Sequence, residues 1–420
     1  MPPMQAGTDH IANVQLLSAK LAKYAWMNTF WAKFAGFQKI TQTNGIKQYE
    51  PATNKIVQMV YDFVDEGRDT LLMAMLMPLV EEPLYGDSWL KGTGEELQLK
   101  YMNLYINQVR KAVTKLTGRA ANQRLKSFKL MEKAQPELVK YWSKWYNSAM
   151  FRTIVEGASP QLTAGTVNEG LGLKVRWHPN MYYHSAAGTL TSVGTEHAFK
   201  TAADLSTMAN SNLYKISANF LAELNIYLKT VLRIEPILYE DTEMYLMLVT
   251  PDGMKQAKAD TTITAARNAA FTSALSKHPA IKGRDHLFYD GICLVEERIG
   301  CRQFAKAATT TDAGFAAALA GSSGWYDPPV RAAQQQNIVL GANAIGLGIA
   351  ENLNYTEEID DHGNVREIGS QCIQGANRVE YVEDDVVEAV FSKNNANLTY
   401  YSTATPCVNQ SSAIIFTGLN

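Results

Sequence analysis

The strongest secondary-structure signal in the chain lies in the stretch 120–156, which reads AANQRLKSFKLMEKAQPELVKYWSKWYNSAMFRTIVE. Its apolar side chains recur at intervals close to 3.6 residues, which is typical of an amphipathic helix. They are Leu125, Phe128, Met131, Leu138, Tyr141, Trp142, Trp145, Ala149 and Val155. Pro136 interrupts the pattern, so the stretch is either one kinked helix or two helices, the second with Pro136 at its first position. Gly157 is suited to the helix end.

A long hairpin is predicted just before this helix. Residues 71–80 form an apolar, Met-rich run, and residues 97–109 resume a strand-like pattern. The residues between them, 81–94, are rich in acids, proline and glycine. Strand, acidic tip and strand describe a hairpin that extends away from the body of the chain.

The remaining elements alternate between helix and strand, which favours an α+β fold. An amphipathic pattern over 11–37 predicts a helix with Gly36 as its stop signal. Further helices are predicted over 202–230 and 254–268, and 305–324 is predicted to be a flexible surface segment. Strands are predicted at 55–65, 245–249, 292–296 and 338–340, with short strands and turns over 379–416.

Length and composition exclude several classes of protein. The chain has 420 residues, 46% hydrophobic and 19% charged, which is globular composition rather than disordered. Lys plus Arg number 39 and Asp plus Glu number 41, so the basic excess of a free-standing nucleic-acid binder is missing. No apolar run approaches the ~20 residues of a membrane span, and we expect no secretory signal. The cysteines form no C-x-x-C pair, which favours a reduced chain.

Motifs of catalysis and cofactor binding are weak. Gly341, Gly346 and Gly348 follow an apolar strand, but their spacing departs from the dinucleotide fingerprint. His178 and His184, with Glu196 and His197 nearby, form a weak candidate metal site, for which ordinary surface histidines are the alternative. Cys293 or Cys301 would be a nucleophile only if a histidine approached in space. We therefore predict no enzyme activity, no cofactor and no metal.

Charge is distributed unevenly along the chain. The segment from Asn107 to Lys144 contains ten basic residues and two acidic ones, whereas the hairpin tip and the segment 351–388 are acidic. The basic residues are Arg110, Lys111, Lys115, Arg119, Arg124, Lys126, Lys129, Lys133, Lys140 and Lys144, and the tip acids are Glu81, Glu82, Asp87, Glu95 and Glu96. Such blocks are either solvated faces or complementary patches that meet between copies of the chain.

Four groups of motifs, in this order and spacing, resemble the major capsid proteins of tailed bacteriophages. They are Thr29-Phe30-Trp31-Ala32-Lys33-Phe34-Ala35-Gly36; Gly67-Arg68-Asp69-Thr70-Leu71 with Leu90-Lys91-Gly92-Thr93-Gly94-Glu95-Glu96-Leu97 and Val109-Arg110-Lys111-Ala112-Val113; His278-Pro279-Ala280-Ile281-Lys282-Gly283 with Tyr289-Asp290-Gly291; and Val339-Leu340-Gly341-Ala342-Asn343-Ala344.

The resemblance implies the Hong Kong 97-type shell fold, in five segments. They are an N-terminal arm and lead-in (1–66), an extended loop (67–110), a peripheral domain with a long spine helix (111–239), an axial domain (240–350) and a return to the peripheral domain (351–420). The stretch 160–210 matches no part of the pattern and is expected to be an insertion. In this fold the extended loop lies over a neighbouring subunit, so the acidic tip would meet the basic spine segment of another copy.

The implied function is structural. Hexamers and pentamers would close into an icosahedral head around double-stranded DNA, with a separate scaffolding protein, a portal and possible decoration proteins as partners. No fused scaffold and no Lys–Asn crosslink are expected, and the chain would be made in the bacterial cytoplasm and end in the virion. A cytosolic nucleotide-binding enzyme, or a decoration or tail protein, is the alternative. The predicted inter-subunit contacts are Trp26, Phe30, Trp31, Phe34, Glu81, Glu82, Tyr85, Asp87, Trp89, Arg124, Lys126, Lys129 and Lys133, with an ordinary intrachain core as the alternative for the aromatic residues.

Overall fold

The structure is a computed structural model, and every statement below refers to the residues that it describes. These are residues 11–37, 39–43, 46–50, 55–61, 70–76, 99–114, 130–156, 178–184, 199–201, 215–239, 242–270, 286–304, 334–360, 365–381 and 409–418. Within these ranges, none of the helices is both long enough and apolar enough to cross a membrane.

The described residues contain five α-helices and one short 3₁₀ turn. The helices are α1 (Ile11–Met27), α2 (Leu130–Glu156), α3 (Ala218–Thr230), α4 (Pro251–Ala259) and α5 (Thr261–Ala270), and the 3₁₀ turn is Trp31–Lys33. Helix α2 continues through Pro136. The long predicted helix is therefore confirmed as a single helix over its described part.

The strands number eighteen in the described ranges. They are β1 (Ala35–Phe37), β2 (Lys39–Thr43), β3 (Ile46–Glu50), β4 (Val57–Val60), β5 (Thr70–Leu76), β6 (Leu99–Tyr105), β7 (Asn107–Thr114), β8 (Met181–His184), β9 (Phe199–Thr201), β10 (Ile237–Tyr239), β11 (Thr242–Val249), β12 (His286–Tyr289), β13 (Ile292–Glu296), β14 (Arg302–Phe304), β15 (Gln334–Leu340), β16 (Ile345–Asp360), β17 (Val365–Arg378) and β18 (Ser412–Gly418).

A five-stranded sheet supports α1 and α2. Its strand order is β1-β4-β16-β17-β7, with β16 and β17 joined as a long antiparallel pair. The buried side chains of Leu21 on α1, Trp142 on α2 and Tyr355 on β16 belong to one hydrophobic cluster. The long helix and the N-terminal helix therefore share a core with this sheet.

A nine-stranded sheet forms the second part of the fold. Its main path is β12-β13-β11-β15-β18-β8-β9, with β10 on β11 and β14 on β15. Strand β11 is buried on both faces: Leu246 and Leu248 face the core shared with the five-stranded sheet, whereas Tyr245 and Met247 face α3 and α4. Successive strand residues point to opposite faces, and the apolar run of β11 follows from burial on both.

Several element boundaries differ from the predictions. The predicted helix over 11–37 ends at Met27, and the predicted helix over 254–268 divides at Asp260 into α4 and α5. The Asp260 carboxylate accepts hydrogen bonds from the backbone of Ala218 and Thr262, which holds the break in place. Helix α3 begins after its cap, Ser217, and the earlier part of the predicted helix over 202–230 lies outside the described residues, as does 305–324.

The sheet topology crosses the predicted domain boundaries. Strand β18, from the segment assigned to the peripheral domain, pairs with β15 of the predicted axial segment. Strand β8 pairs in parallel with β18, so part of the expected insertion 160–210 belongs to the nine-stranded sheet. The first pairing joins residues up to 84 positions apart and the second joins residues 233 positions apart, separations that local sequence patterns do not reveal.

Candidate assembly surface

The N-terminal arm turns sharply where α1 ends. The Thr29 hydroxyl donates to the Trp26 carbonyl at 2.7 Å, and the Thr29 amide donates to the same carbonyl at 2.9 Å. The Thr29 hydroxyl also accepts from the Ala32 amide at 3.2 Å. This local network closes the helix and starts the 3₁₀ turn that follows it.

The turn directs three predicted anchors into the chain's own core. Phe30, Trp31 and Phe34 are 4%, 0% and 3% exposed. The Trp31 ring lies 4.8 Å from that of Phe151 on α2, and the Phe30 amide donates to the Asn147 side chain at 3.0 Å. In this structure these aromatic residues make intrachain contacts, which is the alternative considered for them above.

Trp26 lies instead in a groove between α1 and the five-stranded sheet. The groove has a volume of about 910 Å³. Its walls include Ala22 and Met27 of α1, Met59 of β4 and Leu347 and Ile349 of β16. The Trp26 ring packs edge-on against Tyr146 of α2, with 5.6 Å between the centroids.

Exposed apolar side chains continue this groove onto the surface. Tyr24, Met27 and Phe37 are 53%, 57% and 64% exposed, and the Phe37 ring lies 5.5 Å from that of Tyr61. A contiguous exposed apolar patch is typical of an interaction surface. We name the groove together with Tyr24, Met27 and Phe37 the arm groove.

The charged side chains on the arm side of the groove are basic. Among its described lining residues, Lys23 is the one that carries a charge. Lys20 and Lys33 are also exposed, and residues 18–37 contain no acidic residue. Glu351 on the adjoining strand accepts a hydrogen bond from the Asn354 side chain. The arm side of the groove is therefore suited to an acidic, apolar partner.

Helix α2 is fixed to the sheet by buried hydrogen bonds along its length. The Trp142 indole donates to the Ser370 hydroxyl at 2.7 Å, and the Tyr146 hydroxyl donates to the Gln374 side chain at 3.0 Å. Burial raises the pKa of Tyr146 well above its ordinary value, so this hydroxyl stays protonated. The groove floor is consequently held in one position.

The C-terminal end of α2 is held by a buried arginine. The Arg378 guanidinium donates to the carbonyls of Ile154 and Val155 at 2.6 and 3.2 Å, and it pairs with Glu380. Both charged side chains are 0% exposed. The carbonyls at a helix C-terminus need partners, and this arginine supplies them at the junction of the helix with the sheet.

The hairpin arms leave the five-stranded sheet on the face opposite the arm groove. Met102 and Leu104 of β6 lie beside Gly346 of β16, whereas the neighbouring Leu347 lines the groove. Alternate residues of a strand point to opposite faces of its sheet. Strands β5 and β6 pair from Thr70 with Tyr105 to Leu76 with Leu99, which confirms the two arms of the predicted hairpin.

The predicted contacts of the hairpin tip and of the basic segment lie outside the described residues. This holds for Glu81, Glu82, Tyr85, Asp87, Trp89, Arg124, Lys126 and Lys129, and of Lys133 the structure describes the helical backbone alone. Other basic residues of this region have intrachain partners. Lys140 pairs with Glu137 at 2.6 Å on the exposed face of α2, and the Lys111 ammonium lies 5.0 Å from the centre of the Tyr141 ring.

The glycine-rich segment 341–348 is not a nucleotide loop. Strand β15 leads directly into strand β16, whereas a dinucleotide site needs a helix N-terminus after the glycines. Gly341 lies against the Glu235 carbonyl, too close for a Cβ atom, and its amide donates to the Ser411 carbonyl at 2.7 Å. Close backbone packing explains this glycine, and the segment does not have the strand–glycine–helix arrangement of a dinucleotide site.

The candidate metal and nucleophile residues have structural surroundings. His178 contacts the Ser412 hydroxyl at 2.9 Å through Nε2 and accepts from the Asn180 amide through Nδ1, and burial lowers its pKa well below the ordinary value. His184 contacts Glu223 at 2.5 Å. Among the described residues no three His, Cys, Asp or Glu side chains form a metal-binding group, and Glu196 and His197 lie outside them.

Two buried thiols are poor nucleophile candidates. Burial raises the pKa of Cys293 to about 12 and that of Cys301 further still. Because the thiolate is the reactive form, neither side chain has the properties of an activated cysteine.

Sequence patterns missed Met27 and Phe37 as surface residues, and they did not indicate that the half-buried Tyr61 packs beside Phe37. Each lies in an apolar stretch that the periodicity assigned to a buried helix face or strand. Because the chain turns at Thr29, Phe37 is not part of the helix that the pattern predicts, and its side chain is exposed.

Comparison with known proteins agrees with this architecture. The model of the family described as "Phage capsid protein" matches residues 19–403. Among curated proteins, no sequence matches this chain.

Three solved phage structures have a similar fold at low sequence identity. The capsid of Ralstonia phage GP4 shares 16% identity with a TM-score of 0.57, covering 88% of each chain. The cyanophage Pam1 capsid asymmetric unit shares 15% identity with a TM-score of 0.55, covering 93% of this chain and 92% of the other. The acidic stable capsid of Helicobacter pylori bacteriophage KHP30 shares 9% identity with a TM-score of 0.52, covering 93% and 91%. The fold is thus the α+β, Hong Kong 97-type shell fold.

Proposed function

The chain belongs to the phage capsid protein family, and on that premise we propose that its copies form hexamers and pentamers that close into an icosahedral head around double-stranded DNA. The family match assigns the chain a structural role in the virion. The observation that carries the proposal is the match over 19–403, which includes the N-terminal arm, the hairpin arms, the long helix and most of both sheets.

The two sheets correspond to the two domains of the proposed shell subunit. We assign the five-stranded sheet with α1 and α2 to the peripheral domain, and the nine-stranded sheet with α3, α4 and α5 to the axial domain. The pairing of β18 with β15 supports placing the last described strand in the axial domain. The pairing of β8 with β18 supports the same assignment for residues 178–184.

The proposed partners follow from the proposed assembly. The main partner is another copy of the chain, and the exposed apolar residues of the arm groove supply contact area that a lone chain leaves in water. We also propose a separate scaffolding protein, a portal and possible decoration proteins, with synthesis in the host cytoplasm. The near-neutral total charge suits a wall that contacts packaged DNA without binding it tightly.

Negative-stain electron microscopy paired with sedimentation velocity tests the proposal. The full chain is purified alone and after co-expression with the scaffolding protein of the same phage. We expect closed shells, tubes or capsomer-sized rings, at least in the co-expressed sample. A chain that stays monomeric or dimeric under both conditions contradicts the proposal.

A further inference from the structure

We propose that, in the unassembled subunit, the arm groove binds one anionic amphiphile, an alkyl carboxylate whose chain covers the apolar end of the groove and whose carboxylate pairs with Lys23. This inference goes beyond the proposed function, because it concerns the folded subunit alone and does not require assembly. It rests on the size of the groove, on its change from apolar to polar along its length, and on its charge.

The groove has the size of a small-molecule site. Its volume of about 910 Å³ lies within the range of about 300–1,000 Å³ that is usual for such sites. The residues of α1 that line it extend from Ser18 to Met27, a helical length of about 14 Å at 1.5 Å per residue. A single alkyl chain with its head group fits within these dimensions.

A row of apolar side chains forms one part of the groove floor. Phe37, Met59 and Leu347 are in register across β1, β4 and β16, and such residues lie on the same face of a sheet. All three line the groove, and we name them the apolar row. An alkyl chain makes no hydrogen bonds, so it gains affinity from each methylene that this row removes from water.

Trp26 lies at the same apolar end. Its ring packs on Tyr146, whose hydroxyl donates to the Gln374 side chain at 3.0 Å, and Gln374 is the cross-strand partner of Ile349. Ile349 follows Leu347 by two residues and lies on the same face of β16. The C-terminal part of α1 therefore lies beside the apolar row.

The opposite end of the groove is polar. The Tyr355 amide donates to the Ser18 hydroxyl at 2.9 Å, so the start of the α1 lining lies beside the later part of β16. There the lining residues include Asn354, Thr356 and Gln371. A groove that changes from apolar to polar along its length fits a molecule with an apolar chain and a polar head group.

The charge of the groove favours an anionic head group. Lys23 lies between the two ends of the α1 lining, and among the described lining residues it is the charged one. Within the described part of the chain it forms no ion pair. A carboxylate at this ammonium would form a charge-assisted hydrogen bond, which is stronger than one between neutral groups. Lys20, three residues earlier, is also exposed and adds to the positive potential.

The shape of the groove favours a single molecule over a lipid bilayer. A concave site encloses most of its ligand, whereas a bilayer takes up apolar side chains that project from a helix lying on its surface. Met59 and Leu347 are only 7% and 4% exposed, so they are reached from inside the groove and not from a flat surface. The occupant is therefore a monomeric amphiphile.

Isothermal titration calorimetry of the full-length, unassembled chain tests the proposal. The probes are octanoate, decanoate and dodecanoate, each kept below the concentration at which it forms micelles. We expect saturable binding at a single site, with a Kd that falls about two- to fourfold for each added methylene. An absence of saturable binding, or a Kd that is independent of chain length, overturns the proposal.

A vesicle experiment distinguishes the two sources of such a ligand. The same chain is sedimented with phosphatidylglycerol vesicles, which offer anionic head groups and alkyl chains in a bilayer. A chain that sediments with the vesicles and does not bind the monomeric carboxylates recognises a membrane surface, and the proposal is then wrong.

Charge reversal tests the role of Lys23. Lys23→Glu should raise the Kd for decanoate about two- to fivefold and lower the Kd for the decyltrimethylammonium cation by a similar factor. Lys229→Glu makes the same charge change at an exposed position on α3 and is the control, which should leave both values unchanged. Equal shifts in the two variants, or no shift in Lys23→Glu, contradict the assignment of the head group.

A substitution at the apolar end tests the placement of the chain. Met27 is 57% exposed, so Met27→Gln leaves the core intact, and it should weaken the binding of dodecanoate more than that of octanoate. Ile299→Gln, at a 43% exposed apolar position after β13, is the control. Equal effects of the two substitutions overturn the placement. Assembly has no part in these measurements, so their failure leaves the proposed shell function intact.

Discussion

Replacing Arg378 by methionine tests whether a buried ion pair holds the end of the long helix. Arg378 and Glu380 are both 0% exposed, and the guanidinium also donates to the carbonyls of Ile154 and Val155. Removing one partner of a buried pair leaves an uncompensated charge, which costs about 3–5 kcal/mol. That is a large fraction of the ~5–15 kcal/mol by which folded proteins are stable, so we expect a strongly lowered unfolding midpoint.

A second variant separates the buried charge from the lost helix cap. Arg378→Met with Glu380→Leu removes both charges, so that only the unpaired helix carbonyls remain. Unpaired buried carbonyls cost about 1–3 kcal/mol, and the double variant should therefore be more stable than the single one. Arg298→Met is the control, because Arg298 pairs with Glu296 at 3.0 Å with its side chain 81% exposed, and its loss should cost under about 1 kcal/mol.

Urea unfolding of the unassembled chain, followed by tryptophan fluorescence, measures these differences. The free energy of unfolding is compared for the parent chain, the two variants and the control. A loss of less than about 1 kcal/mol in Arg378→Met, or a double variant no more stable than the single one, would refute the reasoning.

Three further predictions concern packing and pH. Trp142→Phe removes the hydrogen bond to Ser370 and should cost about 1–3 kcal/mol in urea unfolding, whereas an unchanged midpoint contradicts it. Gly375→Ala should prevent native packing of β6, because a Cβ there overlaps the Tyr105 backbone. Gly346→Ala should yield soluble chain with near-parental stability, because its nearest neighbour is the flexible end of Met102 at 3.4 Å and its other contacts are of ordinary length. Equal yields refute this. His178 is buried with a lowered pKa, so as the pH falls this side chain is protonated in the unfolded chain before it is protonated in the folded one. The free energy of unfolding should therefore decrease below about pH 6.5, by up to about 1.4 kcal/mol per pH unit. His178→Gln should lessen that slope in unfolding measured from about pH 7.5 to 5, and an unchanged slope would show that other groups cause it.

The elements predicted most accurately were those whose pattern is long and local. The apolar periodicity around Trp142 and Trp145 extends over several helical turns, and it predicted the described part of α2. The two hairpin arms were equally visible, since acidic and turn-forming residues separate two apolar runs. Pro136 left a choice between one and two helices because the cost of a helical proline depends on the packing around it.

The candidate site was predicted less well because burial there depends on distant partners. Periodicity identified Phe30 and Trp31 as apolar but could not show that Phe151, 120 positions further along, fills the space beside them. The arm groove combines residues of α1, β4, α2, β16 and β17, which are up to about 350 positions apart in the chain. Its existence follows from how these elements pack and not from any one of them.

The sequence alone was enough to predict the long helix, the hairpin arms, the near-neutral charge and, through ordered motifs, the resemblance to a capsid family. These depend on residue type and local spacing, which the chain carries directly. The packed structure was needed to show which aromatic residues are buried, which sheet the last strand joins and on which face the groove opens. Those properties depend on contacts between distant residues, and burial is a property of the whole packed chain.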